Sequence, residues 1–157
     1  MGCWGITALE SDNGLDAVRC VRYNLPADGQ LDLGEMLERL KKDRWNAPCD
    51  VKLGCAHTSP MALAEIVVKY LDGDPGSLDY DEEWAAKDNK FRSITSFTAS
   101  RSSLLELRDY LADTLKYARI RAKQQIKAGE LPGGWFDPKD WDRWQKHMEG
   151  LIHRLDG

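Results

Sequence analysis

The stretch Cys49-Asp50-Val51-Lys52-Leu53-Gly54-Cys55-Ala56-His57 sets two thiols and an imidazole in the pattern C-x5-C-x-H. With Cys3 or Cys20 as a fourth ligand, these groups could build a tetrahedral zinc site. Zinc thiolate sites use close cysteine pairs, because one tight turn must aim two sulfurs at the same ion, and C-x5-C is wider than the usual C-x2–4-C. The pattern reads first as separate, reduced cysteines of a cytosolic chain, and neither a metal ion nor a cofactor is expected. A small metal-dependent or hydrolytic enzyme using Cys49, Cys55 and His57 is the alternative this stretch keeps open.

Other catalytic groupings are weaker. His147 and His153 are too far apart on one helix to form an i, i+4 metal pair, and H-E-x-x-H, G-x-S-x-G and a phosphate-cradling glycine loop are all missing. The run from Asp72 to Glu83 suggests calcium, but an EF-hand needs glycine sixth and an apolar residue eighth, where Ser77 and Asp79 stand. What remains is electrostatic: Asp72, Asp74, Asp79, Asp81, Glu82 and Glu83 stand there without a balancing base. Asp74, Asp79, Asp81, Glu82 and Glu83, with Trp84 beside them as an aromatic anchor, form the candidate partner-binding set, and they suit a protein partner with a basic surface.

Opposed to that run are Lys116, Arg119, Arg121, Lys123 and Lys127, with no acid among them. Lys116, Arg119, Lys123 and Lys127 share a helical face that could touch phosphate, which makes an RNA-binding module a second alternative. Cations near a helix C-terminus also complement its dipole, and this reading comes first, so nucleic acid is not the expected partner.

These groups need elements to carry them. At 157 residues, with 42% hydrophobic and 31% charged residues, the chain suits one folded domain over 1–157. The net charge of -4 points away from polyanionic partners. No window approaches the run of about eighteen apolar residues that spans a bilayer, and residues 1–12 have neither a basic n-region nor a hydrophobic h-region, so no membrane and a cytoplasmic location are expected. Met1-Gly2 suggests acylation, but the hydroxyl comes one place late, with Ile6 where Ser or Thr should stand.

Ser11 or Asp12 caps a helix over 13–23, and Asp32 caps a second that runs to about residue 44 on Leu33, Met36, Leu37 and Leu40. Residues 46–57 read as loop. Thr58-Ser59-Pro60 opens a third helix that is apolar on nearly every face and belongs mid-domain. Residues 72–99 form a long acidic connection with a short helix near 82–87. Ser103-Leu104-Leu105-Glu106 has capping-box form, and Leu104, Leu107, Leu111, Leu115, Ala118, Ala122 and Ile126 keep helical period up to Gly129. Asp137 and Pro138 start a last helix with Trp141, Trp144, Met148, Leu151, Ile152 and Leu155 on one face, and Trp135 is read as a plug in the preceding loop. The expected fold is all-α, a single-domain bundle of about five helices with a long acidic loop, leaving open a short hairpin in 46–57 or 84–99.

Met1-Gly2-Cys3-Trp4-Gly5, followed by Leu9-Glu10-Ser11-Asp12 and Leu15-Asp16, resembles the start of an uncharacterised bacterial family, a domain of unknown function whose small members begin M-G-x-W-G. The match covers about the first twenty residues and departs from the family pattern at Ala8-Leu9 and Asn13-Gly14. It implies a largely helical bacterial protein, with some members found near toxin or immunity genes, and it supplies no active site. Gly2 and Gly5 leave backbone room around Trp4, which is expected to be a core wedge. The function expected from all of this is a non-enzymatic protein-binding domain, an immunity-type or regulatory partner of a basic protein.

Overall fold

The structure, a computed structural model, describes residues 6–26, 28–43, 47, 58–74, 91, 94–130 and 138–156. Trp4, residues 49–57, the short helix expected at 82–87, Asp79, Asp81, Glu82, Glu83, Trp84, Trp135 and the Asp137 cap lie outside them. Among the described residues the fold is a bundle of five helices with one small strand pair. Its helices are α1 (Asp12–Tyr23), α2 (Leu33–Lys42), α3 (Thr58–Leu71), α4 (Arg101–Lys127) and α5 (Pro138–Asp156). A 3-10 turn, Ala8–Glu10, precedes α1, while β1 (Gln30–Asp32) and β2 (Ser96–Thr98) lead into α2 and α4.

Local chemistry explains where the helices begin and end. Ser11 accepts from the Gly14 N–H at 3.1 Å, and Asp32 accepts from the Glu35 N–H at 3.0 Å, each satisfying a donor that the first helical turn leaves open. Helices α3 and α4 close with the same C-terminal motif. The Gly73 N–H bonds to the Tyr70 carbonyl and the Asp74 N–H to that of Lys69, as Gly129 and Glu130 bond to Ile126 and Gln125. This pairing needs a left-handed residue, which glycine supplies at φ 72° and 77°.

Helix α3 is the centre. Residues 59 to 67 are all buried, and α1, α4, α5 and the 3-10 turn pack around it. On α5, Trp141, Trp144, Met148, Leu151 and Leu155 turn inward, and the two indoles stack with centroids 5.6 Å apart. Glu65 lies opposite His147 and Asp72 opposite Arg154, so α3 and α5 run parallel.

Two expectations need correction. Helix α4 is capped by Ser100, which accepts from the Ser103 N–H at 3.1 Å. Ser103 is buried and donates to the Ser100 carbonyl, while Glu106, expected to complete a box with Ser103, is held by Lys41 of α2. Ile126 leaves the core stripe and stands 59% exposed. In 84–99, where the sequence leaves a short hairpin open, the described residues hold one strand, β2, which pairs in parallel with the distant β1, Leu31 opposite Phe97. Three-residue strands are too short to show alternation, so β1 carries no periodic signal of its own. Thr98 Oγ1 donates to Asp32 Oδ1 at 3.2 Å, so a single carboxylate caps α2 and ties the two strands together.

At Gly14 the backbone approaches closely enough that an added Cβ would collide with the Ala8 carbonyl. Gly14→Ala is expected to cost at least about 2 kcal/mol, because the obstacle is backbone and cannot rotate away. At Gly150, within α5, an added methyl group would meet nothing within 4 Å, and Gly150→Ala is expected to stabilise by about 0.5–1 kcal/mol. Urea unfolding of both variants checks the opposite signs.

Candidate functional site

Helix α3 ends at Leu71, and its glycine cap carries the chain through Asp72 and Gly73 to Asp74, the first residues of the acidic segment. Leu71 is 55% exposed there, an uncommon setting for a large apolar side chain at the end of an otherwise buried helix. Asp72 receives a hydrogen bond from Arg154 of α5 at 2.7 Å, and Asp74 lies 3.8 Å from Lys69. All four charged groups are substantially exposed. Of the expected partner-binding set, Asp74 is the member among the described residues, and the structure puts it beside Leu71, Asp72 and Lys69 on one end of the bundle.

The expected basic face of α4 is divided in use. Arg119 reaches across to α5, with Nε donating to Gln145 Oε1 at 2.8 Å and a second nitrogen on Glu149. The Lys116 ammonium lies 5.5 Å from the Tyr117 ring centroid. Lys123 and Lys127 point to solvent. The arginine best suited to fork a phosphate therefore serves the packing of α4 against α5.

Sequence reasoning missed two features. One is a shallow groove of about 390 Å³ on the N-terminal half of α4, lined by Ser102, Leu105, Glu106, Asp109, Tyr110 and Asp113. Its signal was present as acids at 106, 109 and 113, a spacing that falls on one helical face. Glu106 is held there by Lys41, whose pKa this hydrogen bond pushes up, with Glu38 adding a second contact at 3.0 Å.

The other is inside. Glu65 is 6% exposed; its Oε2 accepts from the Ala8 N–H at 2.7 Å, and its Oε1 faces His147 Nε2 at 3.7 Å. That imidazole nitrogen is enclosed and makes no hydrogen bond among the described residues. A carboxyl beside an imidazole is the orienting half of a general-base site, but here both carboxyl oxygens are directed at structural groups. The pair ties the 3-10 turn, α3 and α5 together.

Cys20, considered as a fourth zinc ligand, is half-buried with Sγ 3.6 Å from Asp43 Oδ2. Burial, reinforced by the Asp43 charge and hydrogen bond, pushes its thiol up to about 11. It is therefore a protonated donor at neutral pH rather than a thiolate. Among the described residues, no three His, Cys, Asp or Glu side chains are grouped to hold a metal ion, and no helix is long and apolar enough to cross a membrane. No family model, curated protein or solved structure matches the chain.

Both buried groups can be tested directly. Glu65→Ala leaves the Ala8 N–H without its acceptor and removes the carboxyl that faces the enclosed imidazole, and is expected to cost about 2–4 kcal/mol in denaturant unfolding, with Glu65→Gln retaining part of the loss. Native Cys20 should alkylate roughly a hundredfold more slowly than the same cysteine in denatured chain at pH 8, read by mass spectrometry of its peptide. The folded value lies above the unfolded 9.0, so this thiol's contribution to stability is intact below pH 9.0 and is lost as pH rises through about 11.

Proposed function

We propose that the chain is a non-enzymatic protein-binding domain, an immunity-type or regulatory partner that meets a basic protein surface through the acidic segment that begins at Asp72. The observation that carries this reading is the exposed Leu71 next to Asp72 and Asp74, an apolar contact rimmed by carboxylates where the acidic segment leaves α3. Interfaces that bind specifically combine a desolvated apolar anchor with a charged rim that steers approach.

The cations that Asp72 and Asp74 hold in the free chain are exposed, and such surface pairs contribute about 0–1 kcal/mol each. An arginine or lysine from a partner can displace them at small cost. Asp79, Asp81, Glu82, Glu83 and Trp84 extend the same segment, and the M-G-x-W-G resemblance supports the immunity context.

The test is affinity capture from the native cell with the full chain as bait, followed by mass spectrometry. A cationic protein should be retained at about 0.1 M salt and released as the screening length shortens toward about 0.5 M. A bait carrying alanine at Asp74, Asp79, Asp81, Glu82 and Glu83 should lose it. Equal retention by that bait removes the acidic segment from the reading.

A further inference from the structure

The outward face of α4 carries a charge order that is its own complement. Asp109, Asp113, Lys116, Ile120, Lys123 and Lys127 follow one another at steps of three and four, a single stripe turned away from the buried Leu107, Leu111, Thr114, Leu115 and Ala122. All six are exposed, and Ile120 is 44% exposed although it is a large apolar residue. Asp113, Lys123 and Lys127 make no ion pair among the described residues, and Asp109 has Arg108 at 3.6 Å.

The stripe is antisymmetric about Ala118. Asp109 and Lys127 stand equally far to either side of it, as do Asp113 and Lys123, and Lys116 and Ile120. At about 1.5 Å of rise per residue, the outer pair lies roughly 13 Å from this centre and the inner acid and base roughly 7 Å from it. A second α4 laid antiparallel on this stripe, across a two-fold axis level with Ala118 but on the face opposite that core-packed residue, thus meets opposite charge at every charged position of both pairs. The stems of Lys116 and of Lys116 of the partner subunit then cover the two Ile120 side chains.

We infer that this face of α4 is the isologous interface of a homodimer. The occupant is a second copy of this chain because the required partner is a helix bearing the same charge order reversed, which a two-fold axis supplies without any new surface. A polyanion fits less well, since a phosphate backbone following the stripe runs from Lys127 and Lys123 directly onto Asp113 and Asp109. No residue of the stripe belongs to the acidic segment at 72–84, and every variant below leaves the sequence of that segment unchanged.

Sedimentation and light scattering on the full chain test it. Wild-type protein should be dimeric at about 0.1 M salt and shift toward monomer near 1 M, as the screening length falls from roughly 10 to roughly 3 Å. Lys123→Glu with Lys127→Glu makes the stripe acidic apart from Lys116, and Asp109→Lys with Asp113→Lys makes it basic. Each double variant alone should lose dimerisation by roughly a hundredfold or more through like-charge contact. An equimolar mixture should restore a dimer containing one of each, an outcome that unfolding of either variant cannot mimic. Wild-type protein that stays monomeric at low salt, variants that dimerise as well as wild type, or a mixture that stays monomeric overturns the inference. So does a monomeric wild type that binds a short RNA and loses it in the acidic variant, which assigns the basic half to nucleic acid instead.

Discussion

The bundle depends on one carboxyl group, that of Glu65 in the middle of α3. An acidic side chain buried in a helix whose residues 59 to 67 are all buried is stable only if its oxygens find donors, because an unmatched polar group in such a setting costs more than a single hydrogen bond returns. One oxygen takes the Ala8 N–H, an amide that the 3-10 turn itself leaves open, and the other faces the imidazole of α5. The requirement of the carboxyl and that of the turn are met by the same contact. The turn must then lie close against α3, and α1 can follow it there only because position 14 has no side chain. Ser11 adds to the constraint, since its hydroxyl donates to the Ala8 carbonyl while accepting from the Gly14 N–H.

Outside this core, the ion pairs between helices act chiefly on alignment. Lys41 to Glu106, Arg119 to Glu149 and Arg154 to Asp72 each join two helices, and each is partly or largely exposed. Pairs of this kind contribute little net free energy, but a helix shifted by one turn past its neighbour loses the pair that joins the two. Burial of Leu107, Leu111, Met148 and the two stacked indoles supplies the adhesion, and the surface pairs select among registers that adhesion alone treats as similar.

The helices were readable because their signals are local. Ser11 and Asp32 cap within three residues, α3 is apolar all round, and the inward face of α5 repeats at helical spacing. What was not readable depends on distant chain. Ser100 and Ser103 both suit a helix start; in the fold Ser100 takes the Ser103 N–H, and Glu106 lies with Lys41 of α2. Nothing near Glu65 indicates that its partners come from Ala8 and His147. The acids of the α4 groove could be seen at their spacing, but the conspicuous run of cations further along the same helix drew the reading. Of the expected contact set on the acidic segment, Asp74 found a place at the edge of the bundle, marked by a glycine that also reads as a helix stop.

The strand pair has a consequence for the order of folding. Thr95 Oγ1 and the Thr95 and Ser96 N–H groups all converge on the Gly29 carbonyl, closing a loop of 66 residues for a ladder only three residues long. Loop closure of that span costs entropy before the ladder returns anything, while each helix can form from contacts with near neighbours. The clasp between β1 and β2 is therefore a late event in folding, completed once α3 has gathered the other helices and brought the two strands within reach. It joins the starting points of α2 and α4, so it acts as a final lock on two helices that the core has already placed.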